Sequence, residues 1–479
     1  MLDALAQVAR WYRKRGGASV ASGGDEPCCP ATKLHRILAD DAVQEFLRSK
    51  VSDLRDALRA DEGDPSTHAN LALFYELIDA ADGRAMYHMQ QAMTLDPSEV
   101  QYKAHHRRMA FNTRCKELRK ALTDRIHHGE SIARREEMTP VDVVDASDLS
   151  VAAFQSRYAT AGLPVVIRHG ASLVTKELWS LESLQRNPAL ASLTVETKRT
   201  VVDSVRWARL EDGPRVPLAH LPKAGLYVHD VSLPLHLPQL MAQDGGVHIP
   251  AYFARDYLQH APPGALYRET WPSLFVGPAG TASQTHIDSF GSNFWMALME
   301  GRKRWRLIHP DDVHLLYPTW HVGTPDIVFA VDMTQDDASS RHQHALFQYA
   351  RVYECILEAG DILFVPAGAP HYVENLTDTT ALSCNYIDAS NWARAQAALE
   401  CQAWTDPRAA ELLAALVPIH AALQDEVPLE HSIPFDRYKH PTVVRSHPAP
   451  EARETKLARM TPSLYDDLLT DLDDEDMSS

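Results

Sequence analysis

No apolar run in this 479-residue chain approaches the roughly 20 residues that a membrane-spanning helix requires, so no span is expected. Cysteine is sparse: the six residues at 28, 29, 115, 355, 384 and 401 form no CxxC pair and no regular spacing. That pattern excludes a zinc ribbon or a disulfide framework and fits a reducing compartment. Positive charge is also short, with 47 Lys and Arg against 64 Asp and Glu, a formal net charge of −17. An acidic balance excludes broad, sequence-independent nucleic-acid binding but leaves room for a local basic patch, such as a tRNA site. What is there is ordinary for a globular protein, 45% hydrophobic and 23% charged, and long enough for two or three domains.

The opening "MLDALAQVARWYRKRGG" reads as a short amphipathic basic helix without the apolar centre of a secretory signal. The expected location is cytoplasmic or nuclear; a mitochondrial presequence is the minor alternative, weakened by Asp3. Residues 1–31 are expected to be flexible, ending in the linker-like "GASVASGGDEPCCPA". From 32 to 138 apolar residues recur three and four apart, which predicts a helical domain. Within it, residues 70–97 resemble one tetratricopeptide unit, with Ala85, Met89, Ala92 and Pro97 at its small, large, small and proline positions. One unit builds no superhelix alone; the expectation is a packing domain that could offer a partner a face.

Short β-rich runs separated by Gly and Pro turns extend from 139 to about 400, which predicts a sandwich or barrel. Helical patterning returns over 401–440, and these C-terminal helices are a candidate homodimer surface. The remainder, 441–479, ends in "SLYDDLLTDLDDEDMSS", an acidic run expected to be disordered.

Two motifs inside the β-rich segment carry ionisable residues among apolar ones. In "QTHIDSFGSNFWMALMEGRKRWRLIHP" His286 and Asp288 stand at i and i+2, so on a strand they share a face. Imidazole and carboxylate together suit Fe(II), Mn(II) or Zn(II), and a second histidine would complete a facial triad with open positions. The second motif, "LEAGDILFVPAGAPHYVENL", puts His371 just after a tight turn between two core strands, well placed as that third ligand. His128 and Glu130 have the same spacing at the end of a charged helix and are assigned no metal. Lys303 shares one strand face with Trp305 and Leu307, so its ammonium is buried and needs a partner, which a dicarboxylate would supply.

Together these motifs resemble a JmjC-domain oxygenase, nearest the branch of factor-inhibiting HIF and the JmjC lysyl hydroxylases, over roughly residues 139–400. The resemblance implies a mainly β catalytic domain, a double-stranded β-helix of jelly-roll, cupin type. It implies Fe(II) held by His286, Asp288 and His371, with 2-oxoglutarate and O2 as co-substrates. It places the lysine for the distal carboxylate on Lys303 and its hydroxyl partner on Ser383. It also places a tyrosine on Tyr252, a small hydroxyl residue on Ser283 and an asparagine near the metal on Asn385. Met296 departs from the pattern, standing where several relatives carry a polar residue.

The implied activity is hydroxylation of a protein side chain with release of succinate and CO2. The same chemistry on an N-methyl carbon would give demethylation, and on a modified tRNA base another product. An inactive scaffold acting through the helical domain is the reading from a different class. A storage or isomerase cupin, which uses more histidines in the first motif, is more distant. Residues 319–346 form a polar excursion that could line a substrate entrance, with His342 and His344 expected in solvent.

Overall fold

The computed structural model describes residues 40–78, 83–135, 137–176, 179–200, 210–222, 225–241, 246–320, 327–331, 344–404, 406–423 and 431–435, with the single positions 7, 8, 11, 38 and 333. The acidic run at 441–479 and His342 lie outside them.

Four helices open the described fold: α1 (Asp41–Ala60), α2 (Pro65–Leu77), α3 (Arg84–Leu95) and α4 (Val100–His127). Asp40 caps α1 through the amides of Ala42 and Val43, and Asp64 caps α2, whose first residue is proline. Val43, Leu47 and Val51, spaced by one turn, bury one face of α1. Leu71, Phe74 and Met89 join them in a core separate from that of the β-rich part. The helix pair expected over 70–97 is α2 and α3, and its Met89 and Ala92 are fully buried.

One expectation is corrected here. Val8 is fully buried in this helical core and the Trp11 ring stacks on Phe46 at 4.8 Å. Residues 7, 8 and 11 are helical, so the opening of the chain is not wholly a flexible segment. Two large apolar side chains on one helical face outweigh the ordering entropy that composition alone emphasises.

The β-rich part is built on β1 (Thr139–Pro140), β2 (Asp142–Asp145), β3 (Val165–Arg168), β4 (Val228–Ser232), β5 (Ser273–Gly277) and β6 (Ala282–His286). It continues with β7 (Asn293–Glu300), β8 (Arg302–Ile308), β9 (Val352–Glu358), β10 (Ile362–Val365), β11 (His371–Asn375) and β12 (Thr379–Tyr386). A seven-stranded sheet runs β2-β3-β10-β7-β12-β5-β4 and a five-stranded sheet runs β1-β9-β8-β11-β6. Their inner faces meet in one apolar cluster, with Phe294, Met296 and Val365 from the larger sheet against Trp305, Leu307 and Val373 from the smaller. Two facing sheets of this kind form the jelly roll that the resemblance implied.

The sequence dictates which way each strand faces. Along β8, Lys303, Trp305 and Leu307 point inward, while Arg302, Arg304 and Arg306 point outward. The outward arginines pair across to Glu358, Glu374 and Glu354 at 3.0, 3.0 and 2.7 Å. β7 and β12 are buried on both faces because Trp295, Ala297, Leu382 and Cys384 pack behind the larger sheet. Gly301 makes the β7–β8 turn at φ 84, where a Cβ would sit 2.0 Å from the Asp378 carbonyl.

Helices α5 (Trp392–Gln402) and α6 (Pro407–Leu423) follow the last strand. The extension does not stay helical: Ile433 and Pro434 pair with Ile249 and His248, and Phe435 is fully buried in the core behind the larger sheet. Phe435→Ala is expected to lower unfolding free energy by about 3–5 kcal/mol, read by chemical denaturation. Helix α4 meets the β-rich part through Asn112, whose side chain exchanges two hydrogen bonds of 2.9 Å with the Trp320 backbone. Arg119 donates to the His314 carbonyl at 2.9 Å and lies over the Tyr317 ring. No described helix is long and apolar enough to cross a membrane.

Candidate active site

The last residue of β6 and the first of β11 stand opposite each other in an antiparallel ladder, and both are histidines: His286 and His371. Their ring centroids are 4.3 Å apart. The chain then turns into a single 3₁₀ turn, Ser289–Gly291, whose preceding residue is Asp288. Asp288 Oδ1 lies 3.9 Å from Nε2 of each histidine. Ligand atoms of the three residues fall within 4.8 Å of one another, the one such His/Cys/Asp/Glu grouping among the described residues. His128 and Glu130 are exposed and engaged elsewhere, with Asp124 and Arg125.

The surroundings fix which atoms face inward. Nδ1 of His286 donates to the Gln284 carbonyl at 2.6 Å, and Nδ1 of His371 donates to that of Ala369 at 3.0 Å. A carbonyl only accepts, so both protons sit on Nδ1 and both Nε2 lone pairs point at Asp288. Asn385 Nδ2 donates to Asp288 Oδ2 at 3.1 Å and to Ser292 Oγ at 2.8 Å, which leaves Oδ1 turned toward the histidines. Burial, and then the neighbouring His371, hold His286 well below the usual imidazole range, in the neutral form that binds metal. Burial raises Asp288 above the usual carboxylate range, against the opposing pull of His371 and Asn385. A divalent cation would reverse that cost.

A cavity of about 270 Å³ opens beside the three ligands. Ser283, Met296 and Asn385 line it, together with Tyr227, His229 and Asp230, which sequence reasoning missed. Trp271 and Phe290 line it too, and Phe290 stacks on Tyr267 behind them at 4.3 Å. Phe290 and Tyr267 hold φ of 45 and 65, a left-handed conformation rare for aromatic residues that packing must enforce.

Lys303 is fully buried, and burial lowers its pKa to about 7. Its ammonium donates to Asn375 Oδ1 and Tyr227 Oη, and no carboxylate among the described residues pairs with it. Ser383 is fully buried on β12, opposite Met296 and Ser273, and its hydroxyl has no hydrogen-bond partner among the described residues. Tyr252 is elsewhere. It packs against Phe154 and Phe253 behind the larger sheet, and its hydroxyl donates to the carbonyls of Ala146 and Leu149. The tyrosine the fold brings to Lys303 is Tyr227, from "YVHD", where alternate residues Tyr227 and His229 face the interior. His344 is half-buried against Tyr317, not in solvent.

The donor set fits an Fe(II) ion: two imidazole nitrogens and one carboxylate oxygen on one side, with free space on the other. The interior also fits a small dicarboxylate, since an anion-free buried lysine and an orphaned buried serine hydroxyl otherwise cost stability.

Comparison with known proteins agrees. Residues 198–391 match the family model of the cupin-like domain. Similar proteins include the arginine-specific demethylase JMJ22 of Arabidopsis thaliana, 30% identical over 39% of this chain and 34% of that protein. The human 2-oxoglutarate and iron-dependent oxygenase JMJD4 is 32% identical over 36% of this chain and 39% of its own length. HSPB1-associated protein 1 of Rattus norvegicus is 35% identical over 24% of each. The chain thus spans little more than a third of the first relatives it matches.

Proposed function

We infer that this protein is an Fe(II)- and 2-oxoglutarate-dependent oxygenase that hydroxylates a protein side chain. The observation that carries the reading is the convergence of His286, Asp288 and His371 beside a cavity, above a buried lysine that lacks an anion. His286 and His371 would hold Fe(II) through Nε2 and Asp288 through Oδ1. Lys303 would take the distal carboxylate of 2-oxoglutarate, with Ser383 donating a hydrogen bond and Ser283, Tyr227 and Asn385 completing the polar wall. Bound Fe(II) supplies activation of O2, with 2-oxoglutarate oxidised to succinate and CO2 and one oxygen atom going to the substrate carbon. The residues of the chain anchor both imidazoles through Nδ1, aim the carboxylate and exclude water with Phe275, Phe294, Met296 and Trp305.

The cavity suits a cationic side chain, because its lining includes the aromatic rings of Trp271 and Phe290 and the carboxylate of Asp230. Lysine or arginine in a peptide would meet both. The same wall supports a second reading, oxidation of an N-methyl carbon on such a side chain, as the name of the Arabidopsis relative indicates for that protein. A tRNA base has no comparable support among the lining residues. Incubating the protein with a peptide library, Fe(II) and 2-oxoglutarate tests the reading by mass spectrometry. Gain of one oxygen on a lysine or arginine supports hydroxylation. Loss of a methyl group with release of formaldehyde supports demethylation, and no change in any peptide, with no succinate, contradicts both.

A further inference from the structure

Lys303 is aimed by a chain of hydrogen bonds whose direction can be read from one end. Thr281 Oγ1 lies 2.7 Å from the Pro278 carbonyl, which only accepts, so the one hydroxyl proton goes there. Toward Asn375, 2.7 Å away, Thr281 can then act only as acceptor, so the atom facing it is Nδ2. The carboxamide oxygen must therefore face the other way. There Asn375 Oδ1 accepts from Lys303 Nζ at 2.7 Å and from Thr379 Oγ1 at 3.0 Å. The backbone holds the same residue in place, with Asn375 N donating to the Thr281 carbonyl at 2.9 Å and Gly280 N to that of Asn375 at 2.8 Å. Space for the carboxamide exists because residue 277 is glycine: a Cβ there would lie 2.1 Å from Asn375 Nδ2.

An aspartate would have nearly the same shape as Asn375 and would attract the lysine more strongly. It would also neutralise it. An asparagine gives the ammonium a direction without giving it a counter-charge. The titratable groups that face Lys303 do not supply one either. Burial raises Tyr227 against the weaker opposing effect of Asn375, with Asp230 adding to the rise, so it stays a neutral phenol, and burial lowers His229 to about 3, so it stays a neutral imidazole.

We propose that Asn375, oriented by Thr281, is a positioning residue that directs the Lys303 ammonium while leaving its charge uncompensated for the distal carboxylate of 2-oxoglutarate. The inference rests on the function proposed above and assigns a role to two residues outside the metal triad and the lysine itself.

The test uses the full chain loaded with Mn(II), which binds without turnover, and measures 2-oxoglutarate affinity by calorimetry between about pH 6.5 and 8.5. The dianion needs charged Lys303, whose pKa lies near 7, so wild-type affinity is expected to fall roughly tenfold or more across that range. In Asn375→Asp an internal ion pair competes with the ligand and keeps the lysine charged. Affinity should be about tenfold weaker at the lower pH and nearly flat with pH. Thr281→Val removes the acceptor that fixes the carboxamide, and should weaken 2-oxoglutarate several-fold while Mn(II) affinity is unchanged; Thr281→Ser should restore it. Should Asn375→Asp not fold, the two Thr281 variants decide. Wild-type affinity and pH slope in Asn375→Asp, or wild-type affinity in Thr281→Val, would overturn the inference alone. Mn(II) binding without any 2-oxoglutarate binding by the unmutated protein would overturn the proposed function, and this inference with it.

Discussion

Asp288→Ala is expected to abolish turnover and to reduce Fe(II) occupancy to background, while the thermal transition stays where it is or moves slightly upward. The reasoning is local. Asp288 is the only carboxylate among the described residues whose oxygen reaches both His286 and His371, and the triad is the one candidate metal grouping among them. No neighbouring acid can take over. Asp230 lines the same cavity but is not within the cluster. The expectation for stability follows from the raised pKa. Burial disfavours the Asp288 carboxylate, so above its pKa the metal-free protein carries a charge that folding penalises. Removing it relieves that penalty, whereas removing an ordinary core residue would not. Metal analysis after desalting, with a thermal melt of the same sample, checks both parts. Full iron occupancy in the variant would remove Asp288 from the metal site. His286→Ala should lose iron in the same way, because its Nε2 has no replacement on β6.

The second large effect is expected at Lys303. Lys303→Met keeps most of the buried volume but removes the charge, and should raise the 2-oxoglutarate requirement roughly ten- to hundredfold, corresponding to about 1.5–3 kcal/mol for a charge-assisted contact. Iron content should hardly change, since Lys303 hydrogen-bonds to Asn375 and Tyr227 and not to the triad. Stability should not fall steeply, because the lost group is a buried cation without an anion. Its lowered pKa signals that folding already works against the charge: that penalty is largest below about pH 7 and fades as the pH rises toward the ordinary lysine range. An unchanged half-saturation for 2-oxoglutarate would mean that the buried ammonium serves the fold only.

Much of this was legible in the sequence because strand alternation is a strict rule. Once "RKRWRLI" is read as a strand beside a core, Lys303 must share the side of Trp305 and Leu307, and it does. His286 and Asp288 could be placed together because they stand at i and i+2, although β6 ends at His286 and Asp288 lies just beyond it, and His371 because a tight turn precedes an apolar run. Tyr252 was misplaced for a physical reason: "HIPAYFARDY" contains a proline and a single 3₁₀ turn, so no period fixes which way its tyrosine points. Tyr227 carried the missing signal, since Tyr227 and His229 alternate at the edge of a strand, but that strand is only five residues long and bounded by prolines in the sequence. Phe435 was hidden because a two-residue strand has no periodicity to detect. Val8 and Trp11 were discounted because the basic residues around them dominate the composition of the opening. The hydrogen-bond direction set by Thr281 has no sequence signature, as it depends on which atoms β6 and β11 bring within reach.

The most direct test of the whole account is the stoichiometry of 2-oxoglutarate consumption. Purified protein given Fe(II), O2 and carbon-labelled 2-oxoglutarate should release labelled succinate and CO2 in equal amounts, slowly alone and faster with a basic peptide. Both products should vanish in Asp288→Ala. Succinate release that persists in that variant, or its absence from wild-type protein that binds Fe(II) and 2-oxoglutarate in the presence of its peptide, would contradict the assignment of an oxygenase centre to His286, Asp288 and His371.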